Sequence, residues 1–206
     1  MTAFLKSVKR KDIFRKTVCY GLISTSEKID IMSASIALAN YFASAKGYRT
    51  ALVLNGEDQA ELQMLSEMKC EDVDPVGYSD EYLTYYVVTN AGEMRELKNK
   101  DYERIVLKTD ARQINDELVR ETDHIRIFGD VSPWRYNDIR TTMRDSFRRC
   151  HFLEQGFGNC LYTASARDKD IERFRSEFNA DVIQTGFFRD PYRLERTDLV
   201  QVEKLL

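Results

Sequence analysis

The sequence predicts an α/β fold, a mostly parallel sheet flanked by helices. Three observations carry that expectation. Short apolar stretches alternate along the chain with longer helical ones. One helical stretch, ASIALANYFASA, is apolar on nearly every side and so has to lie between a sheet and another layer. Strand, loop, helix, glycine and strand follow one another within about 40 residues, the right-handed crossover that joins parallel strands.

The elements follow in order. Residues 17–24 are short, apolar and strand-like, and 33–46 form a helix with Ser33 as its N-cap and Gly47 where a left-handed C-cap belongs. YRTALVLN, 48–55, is the second strand, and 57–68 reads as helical. The aromatic and β-branched run 81–89 is a strand, as are ERIVL at 103–107 and HIRIF at 124–128. A charged helix at 137–149 follows the turn SPWRYN. A strand at 159–163, a helix at 168–178, a last strand at 180–185 and a closing helix at 198–206 complete the series. The first strand is expected to be central, with the strands at 49–55 and 103–107 as its parallel neighbours.

At 206 residues and 43% hydrophobic, the chain can bury one sizeable core. It shows no repeat, low-complexity tract or Pro/Gly linker, and divides into a basic lead-in, 1–16, and one domain, 17–206. Lys6, Lys9, Arg10, Lys11, Arg15 and Lys16 stand against Asp12 alone, a local +5 that leaves −8 on the rest of a chain with net charge −3. That balance gives no strong nucleic-acid signal. Phe4, Leu5 and Val8 share a helical face while Ile13 and Phe14 point elsewhere, so the stripe a membrane-surface helix needs is interrupted. A solvated lead-in is the leading reading, and a membrane or partner contact the other. No stretch is apolar enough for a membrane span, and the N-terminus lacks the apolar core of a secretory signal. Cys19, Cys70, Cys150 and Cys160 have neither metal-type spacing nor a disulfide pattern, which points to a cytoplasmic protein with reduced thiols.

The stretch GLISTSEKIDIMSASIALANYF, 21–42, has the outline of a phosphate-binding loop leading into a helix. The order of elements, the run Ala37-Leu38-Ala39-Asn40 and the run from Gly47 to Leu54 resemble the ParA/MinD-type P-loop ATPases, including atypical members associated with pilus and secretion machines. DYERIVLKTD, 101–110, is similar to that family's "xYDxIIIDTP" strand. The resemblance implies a three-layer, P-loop NTPase-like (Rossmann-like) fold. It also implies face-to-face pairing of subunits and a role in positioning or assembling a cell-envelope machine.

The departures from the family pattern concern its chemistry. Asp30, Ile31 and Met32 stand where the family has Gly, Lys and Thr, and Gly21 is the only glycine before Gly47. A phosphate loop needs glycines that let successive N–H groups converge, a Lys to neutralise charge and a hydroxyl for Mg²⁺. The family's metal-organising carboxylate falls at Lys108, and Asn55 stands where the second strand often ends in Asp. The expectation is therefore a degenerate nucleotide site in a pseudo-ATPase, with no cofactor and no metal. Protein partners are expected, and a homodimer is the simplest form. In such a dimer Lys28 and Lys108 would face carboxylates such as Glu27 and Asp30. The alternative is a nucleotide sensor or weak ATPase that holds ATP or ADP through Lys28 and Ser33 as displaced substitutes.

Other candidates have bland readings beside them. Cys150-His151 lacks a third orienting group and reads as packing. His124, at a strand start, reads as structural. Asp72, Asp74, Asp80 and Glu81 read as a solvated acidic loop, because a calcium loop's Gly and terminal Glu are missing. Trp134 and Arg135, in a turn, have the composition of a partner contact or a local lid. Phe187, Phe188, Asp190 and Pro191 follow the last strand, where the resembled family places a loop against the adenine base. Here an interface or a sealed pocket is favoured.

Overall fold

The computed structural model describes residues 16–26, 28–55, 65, 69–71, 77–80, 83–110, 116–149 and 158–206. Among these residues nine strands form one sheet: β1 (Val18–Ser24), β2 (Thr50–Asn55), β3 (Lys69–Glu71), β4 (Gly77–Ser79), β5 (Thr84–Val88), β6 (Arg104–Asp110), β7 (His124–Phe128), β8 (Cys160–Thr163) and β9 (Asp181–Gln184). Their order is β3-β4-β5-β2-β6-β1-β7-β8-β9. The strands from β5 to β9 in that order pair in parallel, and β3, β4 and β5 are joined antiparallel.

Helices α1 (Met32–Asn40), α2 (Ala91–Asn99), α3 (Asp116–Arg120), α4 (Tyr136–Arg149), α5 (Asp168–Phe178) and α6 (Arg196–Glu203) lie on its two faces. Successive strand residues point to opposite faces, and here both faces are apolar. Leu22, Leu54 and Val106 pack with Ile36 and Leu38 of α1 and Val202 of α6. Ile23, Val53 and Ile105 pack instead with Met94 of α2, Leu118 of α3, Ile139 of α4 and Phe174 of α5. The fold is thus helix, sheet, helix, as expected. Each buried Leu, Ile or Phe contributes about 1.5–3 kcal/mol of transfer free energy.

The parallel sheet and the buried helix match the sequence reading: Ala34 to Phe42 are all buried. The helix keeps α-helical bonding to Asn40, and then Lys46 N–H reaches back five residues to Tyr41 O at 3.1 Å. Gly47 follows at φ +68, the left-handed conformation that favours glycine.

Two expectations are corrected. The neighbours of β1 are β6 and β7, because β6 inserts between β1 and β2. Ser33 is not the N-cap. The helix begins at Met32, whose N–H is taken by Asp30 Oδ1 at 2.8 Å, and Ser33 lies inside the first turn.

The sequence reading did not include α2, although Asn90 caps it by accepting Glu93 N–H at 3.0 Å while Glu93 Oε2 accepts Thr89 N–H at 2.7 Å. The strand expected to end at 107 runs on to Asp110. The lead-in up to residue 15, nearly all of the helix expected at 57–68, and Glu27, Asp72, Asp74, Glu81, Cys150 and His151 lie outside the described residues. Lys16, the last basic residue of the lead-in, pairs with Asp123 at 3.3 Å.

β9 is the last strand in the sheet order, and the ammonium of Lys204 donates to its Gln184 carbonyl at 2.7 Å. No helix among the described residues is long and apolar enough to cross a membrane.

Candidate functional site

The site is built where β1, β7, β8 and β9 end. After Ser24, Thr25 N–H hooks onto Phe128 O of β7 at 2.8 Å. Ile29 N–H then donates to Ser26 O at 3.0 Å, and Lys28 N–H to Ser26 Oγ at 3.2 Å, which folds the loop into a tight turn. Its outcome is two opposed side chains: Lys28 is exposed, and Ile31 is buried in the core. Ile31 is therefore an aliphatic anchor facing inward.

The orphan N–H groups at a helix N-terminus attract anions. Here the chain supplies the anion itself, through the Asp30–Met32 bond. The same device recurs in two further loops. Asp130 Oδ1 accepts Ser132 N–H at 2.9 Å after β7, and Asp190 Oδ1 accepts Tyr192 N–H at 3.0 Å after β9. Each carboxylate closes a turn by accepting the N–H two residues ahead.

Between these loops lies a cleft of about 280 Å³. Lys28, Asp30, Ser33, Phe187 and Phe188 line it, and the ends of β7 and β8 contribute Phe128, Asp130 and Thr163. The floor is knit together by Gly129 N–H to Tyr162 O at 2.9 Å and by Thr185 N–H to Thr163 O at 2.9 Å. Gly129 is closely packed, since a Cβ there would overlap Ile139 Cδ1 unless that side chain shifted. Sequence reasoning missed the β7 and β8 contribution. The rule that open α/β sheets bind ligands at the carboxyl ends of their strands could have found it.

The other expected site residues lie elsewhere. Gly21 is in mid-strand, where a Cβ would come within 3.1 Å of Thr122 Cγ2. Asn55, at the end of β2, donates through Nδ2 to Thr109 Oγ1 at 2.8 Å. Lys108 stands in the ladder beside Leu22 and Leu54, and the carboxylate at the strand end is Asp110, which accepts Ser24 Oγ at 3.3 Å. Asp110, Asn55, Thr109 and Ser24 are all buried.

Pro191 O and Tyr192 O accept the side-chain amide of Asn40 at 3.2 and 2.8 Å, so the segment after the Phe187-Phe188 lip is strapped to α1. Within the chain, Lys28 does not pair with Asp30, whose Oδ1 is turned to its own backbone. Trp134 and Phe187 are the most exposed large apolar side chains described, at 77% and 78%. The Arg167 guanidinium lies 6.0 Å from the Trp134 ring, and Arg135 is half-buried. His124 stacks on Tyr20 at 4.8 Å, a structural contact. Among the described residues no group of His, Cys, Asp or Glu is arranged to hold a metal ion.

No known family and no curated protein matches the sequence. Solved structures do match the fold. MinD cell division protein of Aquifex aeolicus superimposes with a TM-score of 0.58 at 10% identity, covering 92% of this chain and 95% of that one. MinD in the MinC:MinD complex of the same organism gives 0.56 at 12% identity, covering 92% and 86%. ParA of pNOB8 bound to nonspecific DNA gives 0.52 at 11% identity, covering 92% and 98%. The chain has the fold that MinD and ParA share, that of P-loop NTPases.

Proposed function

We propose that this chain is a pseudo-ATPase of the MinD/ParA type, a scaffold or regulator that acts through protein contacts and does not turn over nucleotide. The observation that carries this reading is the Asp30–Met32 bond. A carboxylate already occupies the N-terminus of α1, and it would repel a triphosphate brought there. Ile31 supports the reading, because its buried aliphatic side chain offers no cation to a phosphate. The solved complex of MinD with MinC is a precedent for a protein partner on this fold. A place in a cell-envelope machine follows from the family resemblance alone. Asp110 and Ser24 form a buried polar pair at the strand ends, yet neither is among the residues lining the cleft.

The test is a titration of the purified protein with ATP and ADP, with and without Mg²⁺, alongside steady-state phosphate release and sedimentation. The expected result is no turnover above background and an oligomeric state indifferent to ATP. Lys28 and Ser33 both line the cleft, which favours a nucleotide sensor as the second reading. Steady turnover that is lost on replacing Lys28 or Ser33 would establish that reading in place of the first.

A further inference from the structure

We propose that Phe187 is a gate on the cleft: the segment 187–189 moves between an open form, with the Phe187 ring in solvent, and a closed form in which that ring fills the cleft. The inference concerns access to the cleft and goes beyond the question of nucleotide turnover.

The first ground is how the segment is held. Before it, Thr185 N–H is bonded to Thr163 O, and Gly186 stands at φ +71, in the left-handed region that favours glycine. After it, Asp190 Oδ1 accepts Tyr192 N–H, and Asn40 holds the carbonyls of Pro191 and Tyr192. The Tyr192 hydroxyl lies 3.0 Å from that of buried Tyr85, so this end is fixed as well. Between the two ends, among the described residues, no main-chain group of Phe187, Phe188 or Arg189 takes part in a hydrogen bond. Phe188 is half-buried against the core on the α1 face, which leaves Phe187 as the free member of the pair. A short segment with fixed ends and few bonds of its own rearranges at low cost.

The second ground is an exposed ring beside a space that fits it. Phe187 is 78% exposed although it lines the cleft. Ile29, Ala34, Phe128 and Phe188 give the cleft apolar lining. Its volume is about 280 Å³, and an apolar cavity of about 150 Å³ already holds a benzene molecule. Closing takes the ring out of water and breaks no main-chain hydrogen bond of the segment. Opposing it is the conformational freedom that the ring gives up. In the closed form a ligand can enter only by displacing the ring, so the chain's own side chain competes for the site.

The test places 4-fluorophenylalanine at position 187 of the full chain and reads the fluorine shift between H₂O and D₂O, which grows with exposure of the ring. The reference is the same residue in a short unstructured peptide. The expected shift is reduced at least about twofold, as a ring closed for half the time or more requires. Phe187→Ala should lower the urea midpoint, because the closed form is lost. Val200→Ala, at a position 55% exposed, should leave the midpoint unchanged. Phe187→Leu, which still plugs the cleft in part, should lose less than Phe187→Ala.

A fluorine shift equal to the peptide's, or a Phe187→Ala midpoint no lower than that of Val200→Ala, overturns the proposal. The pseudo-ATPase reading would survive either result, because it stands on Asp30 and Ile31. Adding Mg²⁺-ATP should leave the reduced shift as it is. If ATP restores the full shift, the nucleotide has taken the ring's place: the gate stands, and the nucleotide-sensor reading replaces the pseudo-ATPase one.

Discussion

Asn40 and Tyr192 are joined by a 2.8 Å hydrogen bond from the buried side-chain amide of a helix to a main-chain carbonyl of a loop, 152 positions along the chain. Ser44 Oγ orients that amide from the other side, donating to Asn40 Oδ1 at 2.6 Å. Asn40→Ala strands two carbonyls, and an unsatisfied buried polar group costs about 1–3 kcal/mol. Urea denaturation should register a loss in that range. Ser44→Ala, at an exposed position, should lose less.

Gly129→Ala is expected to destabilise by about 1–3 kcal/mol through overpacking. The added methyl would meet Ile139 Cδ1 at 2.3 Å and Leu161 Cδ1 at 3.0 Å, both on buried side chains. Thermal unfolding measures the loss, and trimming Ile139 to Val should recover part of it.

Asp30→Ala removes the partner of the Met32 N–H and should cost about 1 kcal/mol, whereas Asp30→Asn, which retains an acceptor oxygen, should cost only a fraction of that. Denaturation midpoints of the two variants separate the hydrogen bond from the charge.

Acid and alkali should act at different places. Burial pushes the Glu121 carboxyl up, but hydrogen bonds from Lys98 at 3.0 Å and Arg95 at 2.9 Å outweigh it and hold the group below its ordinary value. Its contribution to stability is therefore present above the ordinary carboxylate pKa and is lost as pH falls through the lowered one. Glu121→Gln should flatten the acid limb of a stability–pH curve. The Tyr136 phenol is pushed up to about 12, by burial first and then by its bond to Glu177. Its contribution is full below the ordinary value of 10 and is lost as pH rises through 12. Tyr136→Phe should flatten the alkaline limb, and tyrosinate absorbance checks the titration directly.

Much of this architecture was legible because it is local. The crossover from β1 through α1 and Gly47 to β2 is written in apolar periodicity and one left-handed residue. The insertion of β6 between β1 and β2 joins Arg104 to Val18 and to Thr50, partners far apart in the chain, and no local pattern records it. The end of β6 was misread because its apolar run stops at Leu107. Lys108, Thr109 and Asp110 continue the ladder through pairing with Leu22, Ile23 and Ser24.

At the site, Lys28, Asp30, Ser33, Phe187 and Phe188 were identifiable from the outline of the first loop and its counterpart after the last strand. The share of β7 and β8 was not, because Phe128, Asp130 and Thr163 acquire their place only when their strands are laid side by side. The Asn90 and Glu93 pair was a legible helix start that the sequence reading passed over.

The contact between Lys204 and Gln184 bears on how the molecule behaves in a crowd of its own copies. A strand at the margin of a sheet offers its main-chain groups to any extended segment that drifts past, and such encounters seed aggregates. At β9 one of those carbonyls is already taken by an ammonium. An incoming strand would have to displace that cation from the carbonyl before it could add to the ladder. Lys204 thus obstructs edge-to-edge growth at this margin with one exposed side chain.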